Sequence, residues 1–341
     1  MSMMQMFLGA GGGPSFSASG GDLADALAPG NGYKYHTFSS NGNFVVTGSV
    51  DIEVLVVAGG GSAAATNVAG GAGAGGVVHA TSYAVTAGTH PVSVGGGGVG
   101  ANWSGTPNPT RGGVPGSDSY FGPAPARLTA KGGAGGGNSY ITPGVPGKPG
   151  GSGAGGGMNN PQWPMGDTTQ CLPGPASQPG QTHPGAPGSI TNYGNNGGTG
   201  GGTSTNNGWG GGGGGAGASG TSNPYPTSQP IDSLGGAGQP FTNFAYPLAF
   251  PGPVASSLGP NSPTNSHYAG GGGGGRHIAG SGGSQPGGLS GGVGGGGAGG
   301  NGTAITPTSG VDYLGGGSGD GDGYHAVGKG GDGIVIIRYS V

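Results

Sequence analysis

Seven histidines, one cysteine and eleven carboxylates are the residues of this 341-residue chain that could do covalent or acid–base chemistry. Their spacing assembles no catalytic signature. Gly288-Leu-Ser-Gly-Gly292 has the form of a nucleophile elbow. Glycine fills 98 of 341 positions, however, so a serine flanked in this way arises about once in twelve by chance. The motif also needs a strand, a sharp turn and a helix, and the surrounding sequence offers none of them. Patterns of the form G-x-G-x-x-G recur for the same reason, and no segment fits a phosphate loop ending in Gly-Lys-Ser or Gly-Lys-Thr. Asp320-Gly-Asp322-Gly begins like a calcium loop but lacks the third acidic ligand and the closing Glu, so it reads as a turn. The histidines are dispersed, and Arg276-His277 reads as the solvated cap of a loop. Cys171 alone makes neither a disulfide nor a cysteine zinc site. A glycan-cleaving site would need a carboxylate pair, and beyond Lys131 only Asp167, Asp232, Asp312, Asp320, Asp322 and Asp332 could supply one. The expectation is a non-enzymatic protein with no metal and no cofactor.

Recognition is the other chemistry on offer. Tyr140, Trp163, Tyr193, Trp209, Tyr225 and Tyr268 fall in or beside segments between glycine runs, among Ser, Asn and Pro. Rings give large contact area at low entropic cost while Asn and Ser supply hydrogen bonds, so these six are candidate contacts for a protein loop or a sugar. Phe241, Phe244, Tyr246 and Phe250 read instead as a small core pinning a long loop. The eight basic residues are scattered from Lys34 to Arg338 and the net charge is −3, which argues against a nucleic-acid partner. No stretch reaches the roughly 18 apolar residues of a membrane span, and the first ten residues lack the basic flank of a secretory signal. No membrane insertion is expected.

Gly and Pro together make up (98 + 29)/341 of the chain, about 37%, which excludes most helical and ordinary sheet folds. Runs such as 210–215 and 270–275 break the strict triplet of collagen. The order must come from backbone hydrogen bonds and a small core. Tyr33–Phe38 and 44–47 are short β-type runs joined through Asn41-Gly42, a dipeptide suited to a hairpin. Ile52-Glu-Val-Leu-Val-Val-Ala58 and Ile334-Val-Ile-Ile337 are nearly continuous apolar runs, the expected central strands, and they should be neighbours. Further β-type pieces lie at 77–85, 90–94, 118–121 and 127–130. Helix is limited to two turns at most, around 22–28. The expected architecture is mainly β: a small β-sandwich base, residues 32–131 plus 325–341, with an N-terminal peptide and linker at 1–31 and a glycine-rich insertion at 132–324.

The glycine runs have a physical use. An extended left-handed helix has three residues per turn, rises about 3.1 Å per residue and makes no internal hydrogen bonds, so every N–H and C=O points outward. Packed side by side, such polyglycine II helices pair their backbones in several directions, and a Cβ on a central helix would hold them apart, with isolated Ala or Ser accepted at the edge. The insertion is therefore expected to be a bundle of polyglycine II helices carrying long loops, with almost no α-helix.

Several motifs occur in a fixed order: Thr37-Phe38, Asp51-Ile-Glu-Val-Leu-Val-Val-Ala-Gly-Gly-Gly61, Gly75-Gly-Val-Val78, Val92-Ser-Val-Gly-Gly-Gly97, Gly116-Ser-Asp-Ser-Tyr-Phe-Gly122 and Gly333-Ile-Val-Ile-Ile-Arg-Tyr339. This pattern resembles the glycine-rich domain of bacteriophage tail fibres and fibre-tip adhesins over residues 33–137 and 325–341; the insertion is similar in style alone. The resemblance implies a virion location and a host surface protein or glycan bound by the distal loops. Met1, Met3, Met4, Met6, Phe7 and Leu8 form a small apolar tail that would fray if free, so attachment to other phage tail or virion proteins is expected there. One chain or a homotrimer could build the bundle. The rival expectation is a purely structural part, a capsid-decorating fibre or tail connector whose loops meet other phage proteins.

Overall fold

A computed structural model of the chain describes residues 16–22, 26, 28–65, 68–100, 112–138, 145–158, 171–204, 207–223, 232–244, 266–278, 289–301, 305–321 and 326–341. Among the described residues, regular structure is strand apart from short 3-10 pieces, Gln178–Gly180, Thr242–Phe244 and the single residue Cys171. The strands of the base are β1 (Ser17–Ser19), β2 (Tyr33–Phe38), β3 (Gly42–Val57), β4 (Val77–Ser93), β5 (Ser119–Phe121), β6 (Leu128–Ala130), β7 (Ser189–Tyr193) and β13 (Ile334–Ser340). Five short strands of the bundle lie between: β8 (Gly201–Ser204), β9 (Asn207–Trp209), β10 (Gln239–Pro240), β11 (His267–Tyr268) and β12 (Arg276–Ile278).

The base is one antiparallel sheet in the order β2-β13-β3-β4-β5-β6, with β1 added beside the first half of β3 and β7 beside the first part of β4. As the apolar runs require, β13 lies against β3, Ile334 opposite Val57 and Arg338 opposite Glu53. The Asn41-Gly42 hairpin does not form, because β13 occupies the place between β2 and β3. A strand apolar on both faces gains most when paired on both edges. The Asn41 side chain instead accepts the Val94 N–H at 2.9 Å. The pieces at 77–85 and 90–94 merge into the single strand β4, and β7 brings part of the insertion into the sheet.

Alternation along β13 divides the core in two. Val335, Ile337 and Tyr339 enter a cluster with Phe38, Phe44, Val54, Val56, Tyr83, Phe121 and Leu128. Ile334 and Ile336 enter a second cluster with Tyr35, Leu55, Val57, Val77, Phe241, Phe244, Tyr268 and Leu314. The sheet curls, for β5 and β6 return to touch β3, and bulges near Val46/Ser49 and Ile52/Val54 help the long strands bend. The first cluster fills this curl. The second lies between the sheet and the glycine-rich bundle.

In the bundle, hydrogen bonding repeats every third residue. Gly71 and Ala74 donate to Gly211 and Gly214 at 3.0 and 3.0 Å, Ala72 and Gly75 to Ser318 and Gly315 at 3.1 and 2.9 Å, and Gly73 and Gly76 to Ala134 and Lys131 at 2.9 and 2.8 Å. The carbonyls of the same run accept from Gly155 and Ser152, from Gly272, and from Gly61 and Ala58. One extended segment is thus ringed by others on all sides, the arrangement of packed threefold helices. Residues 210–215 repeat it, donating to Gly275 and Gly272, Gly156 and Gly153, and Thr221 and Ala218. Residues 58–61, 70–76, 95–98 and 113–117, expected in the base, also take part in this network.

Two features depart from the edge rule for side chains. Ala72 and Ala74 sit on a central run and are fully buried, the Ala72 methyl in a niche with Ala63, Ala65 and Val327 and the Ala74 methyl in the second core. Outer segments need glycine only at the position facing inward. At 146–149 and 172–175 the residues Pro146, Pro149, Leu172 and Pro175 face solvent while Gly147 and Gly174 are buried.

Candidate functional site

The bundle has a direction. β3 ends at Val57, residues 58–65 run away from the sheet, and 69–76 run back into β4. Ala65, Val68 and Ala69 therefore mark the end remote from the sheet. Met158 donates to the Val68 carbonyl there, Gly200 donates to Cys171, and Asn223 donates to Thr199. At the same level Gly210 donates to Gly275 and Arg276 to Gly300. By these registers the described residues that flank 101–111, 139–144, 159–170, 224–231, 279–288, 302–304 and 322–325 all stand at the remote end. The flanks of 245–265 are the exception, since Phe244 and Ser266 lie beside the sheet, where Phe241 donates to the Ser266 carbonyl.

The six aromatic candidates separate on this frame. Tyr140, Trp163 and Tyr225 lie outside the described residues, each between flanks at the remote end. Tyr193, Trp209 and Tyr268 are not exposed contact rings. Tyr268 is 1% exposed and its hydroxyl donates to the Phe244 carbonyl at 2.7 Å, with burial pushing its ionisation far up. Trp209 is 4% exposed, on a strand paired with Arg276. Tyr193 is half-buried on β7, its ring edge-on to Phe241 at 5.4 Å between centroids. These large rings fill space that glycine leaves empty, Tyr193 and Tyr268 where the bundle meets the sheet. Phe241 and Phe244 are core residues as expected, though shared with the sheet rather than confined to their loop. Tyr246, Phe250 and the tail residues Met1, Met3, Met4, Met6, Phe7 and Leu8 lie outside the described residues.

Other sequence readings shift. Asp320 is not in a turn: it is buried in an extended run, its N–H donating to Gly273 and its carbonyl accepting from Gly300. Arg276 is 2% exposed on β12 rather than capping a solvated loop. Residues 289–292 of the elbow-like motif belong to the bundle, where Gly292 donates to Gly271. Among the described residues no group of His, Cys, Asp or Glu is placed to hold a metal ion.

A cluster that the sequence reading missed lies between sheet and bundle. Glu53 on β3 forms an ion pair with Arg338 on β13 and accepts from His79 on β4 at 2.8 Å. Burial alone would raise the Glu53 carboxyl, but hydrogen bonds from His79 and Arg338 outweigh it and hold the group below the ordinary carboxylate range. The Arg338 guanidinium lies over the Tyr33 ring at 4.3 Å and the Phe244 ring at 5.4 Å. His79 meets Phe241 and Phe244 edge-on. The trio fixes the Thr242–Phe244 turn onto the sheet. Its signal in the sequence is a charge inside each of two apolar strands, Glu53 and Arg338.

Residues 37–340 match the family described as glycine-rich domain. The chain belongs to that family. The match runs through sheet and bundle alike, from β2 to β13, in keeping with a fold in which neither part closes without the other. Among curated proteins no sequence matches it.

Proposed function

We propose that this member of the glycine-rich domain family is a non-enzymatic bacteriophage virion protein. It is the tip of a tail fibre, and it binds the host cell surface through segments carried at the remote end of the bundle. The supporting observation is polarity. β1 pairs with Val45–Thr47, about eleven residues or roughly 35 Å of extended strand before the bundle begins at 58. Residues 1–15, proposed to attach to other virion proteins, join the molecule at that pole, while seven segments leave from the other. A rigid post with an anchor at one end and varied polar and aromatic sequence at the other suits adhesion. The backbone lattice supplies the rigidity without constraining the tips, in the way that recognition loops ride on stiff scaffolds.

The test is binding of the labelled chain to host cells beside a variant in which 159–170 and 224–231 are each replaced by a short Gly-Ser link. Both replacements leave the described bundle intact, so melting should be unchanged. Binding by the intact chain that falls in the variant supports the adhesin. A well-folded intact chain that ignores host cells and instead joins other virion proteins through these segments establishes the assembly role.

A further inference from the structure

The N-terminal arm, residues 16–22, is held to the sheet by a closed circuit of side chains around His36. On β2, His36 is 1% exposed. Its Nδ1 stands 2.7 Å from the Gly20 carbonyl, and its Nε2 stands 3.3 Å from the Tyr339 hydroxyl on β13. A carbonyl can only accept, so Nδ1 carries the proton, Nε2 is the bare acceptor, and the tyrosine hydroxyl donates. Tyr339 in turn meets the Phe16 ring edge-on at 4.8 Å. The neutral imidazole therefore grips the arm directly at Gly20 and through Tyr339 at Phe16.

The rest of the arm is lightly fastened. β1 has three residues, Asp22 donates its N–H to the Thr37 carbonyl at 2.7 Å, and its carboxylate accepts the Ser39 N–H. Gly20 and Gly21 both have positive φ, +114° and +100°, and cross the sheet so closely that a Cβ on Gly20 would lie 2.1 Å from the Asn43 carbonyl oxygen. The crossing brings the Gly20 carbonyl over the ring.

We propose that His36 is a proton-operated latch: protonation of its ring releases the arm Phe16–Asp22 from the sheet and with it the chain that precedes the arm. A second proton on Nε2 turns the Tyr339 hydroxyl from donor to acceptor and leaves a cation in a site 1% exposed to water, beside the Phe44 ring at 5.0 Å and the stacked Tyr339 ring at 5.7 Å, with no carboxylate to balance it. The groups facing His36 offer no countercharge. β13 presents the neutral Tyr339, β3 presents Phe44, the arm presents a carbonyl while its one carboxylate is engaged at Ser39, and β2 itself carries the cation Lys34. Burial first, with Lys34 adding to it, depresses the affinity of this ring for a proton, against the opposing Gly20 bond. The unfolded or undocked ring takes a proton at the ordinary value of 6.5, the docked ring only below it. The latch is thus fully closed above pH 6.5 and weakens as pH falls beneath it. Opening the arm is the cheapest relief, since it uncovers the ring without breaking β13 from β2. The latch lies wholly in the base and stands whether or not the chain is an adhesin.

Hydrogen exchange of the full-length chain, read by mass spectrometry at pH 7.5 and 5.5 and corrected for intrinsic rates, tests it. Amides of 17–22 should lose protection at pH 5.5, by up to about tenfold, the extent to which an undocked imidazole is protonated one pH unit below 6.5, while those of β3 and β13 hold. His36→Gln, which keeps a donor and an acceptor, should abolish this pH dependence, and Asp22→Asn should retain it. The His36 ring proton signal in the unmodified chain gives a readout that needs no variant, and it should titrate below 6.5 in step with the loss of protection. Unchanged protection at pH 5.5, loss that persists in His36→Gln, or an imidazole titrating at or above 6.5 each overturns the latch.

Discussion

Gly213→Ala puts the lattice to its sharpest test. Gly213 donates to the Gly272 carbonyl at 2.8 Å and its own carbonyl accepts from Gly236 at 2.8 Å. An added Cβ would lie 1.9 Å from the Ala72 carbonyl oxygen, and ordinary contact begins near 3.4 Å, so the helices must part by 3.4 − 1.9, or 1.5 Å. A 2.8 Å hydrogen bond stretched by that much is no longer a bond. Overpacking of a filled core costs about 1–3 kcal/mol, and each buried amide or carbonyl left unpaired costs about 1–3 kcal/mol more. Restriction of the unfolded chain by alanine returns only about 0.4–1 kcal/mol. The net expectation is a loss of about 4 kcal/mol, equivalent to about 5 °C in melting temperature for a chain of this length. Gly96→Ala is the matched control, because the nearest atom to its Cβ would be 3.8 Å away. It should be neutral or slightly stabilising. Thermal melting followed by circular dichroism compares the two, and equal small shifts would refute the account of the bundle as a lattice that admits a Cβ at its centre only where a niche receives it, as at Ala72 and Ala74.

The threefold rule for outer segments predicts that Gly147→Ala, whose Cβ would meet the Ala154 carbonyl oxygen at 2.3 Å, destabilises by several degrees, whereas Pro149→Ala, exposed on the same segment, changes melting by less than about 2 °C. In the Glu53–Arg338 pair, Glu53→Gln or Arg338→Met alone should cost about 2–4 kcal/mol by leaving one buried partner uncompensated, and the double variant should recover part of the loss in a denaturation cycle. Because the Glu53 carboxyl lies below its ordinary 4.5, its share of stability is complete above that value and disappears as pH falls through the depressed one. Glu53→Gln should therefore flatten the acid limb of a stability profile. Tyr268→Phe removes the donor to the buried Phe244 carbonyl and should lower stability by about 1–3 kcal/mol with the sheet unchanged in far-ultraviolet dichroism.

Much of the fold was legible because the signals are local. Ile52–Ala58 and Ile334–Ile337 announce themselves as central strands through apolar content alone, and glycine runs of six announce a packing that no side chain could share. What stayed hidden depends on partners distant in sequence. Asn41-Gly42 carries a hairpin signal, yet the pairing went to β13, nearly three hundred residues later, because its two apolar faces and two open edges had more to gain. Tyr193, Trp209 and Tyr268 look like contact rings in loop-like sequence, yet Tyr193 and Tyr268 pack inward because the bundle folds back over the sheet, and Trp209 because β9 pairs with β12 inside the bundle. Which end of the bundle each connection leaves from is likewise a matter of register, since glycine runs are identical in either direction.

The sequence by itself determined that this chain would be strand and extended helix, held by backbone bonds rather than disulfides or a large core, since glycine at such density forbids other solutions. Tertiary structure alone decided which glycines lie at the centre, which rings are buried, and that Glu53 meets Arg338 and His36 meets Gly20. A polyglycine segment has no side chain to choose its neighbour. That choice falls to the few large residues at its ends, and they act only once the sheet has brought them together.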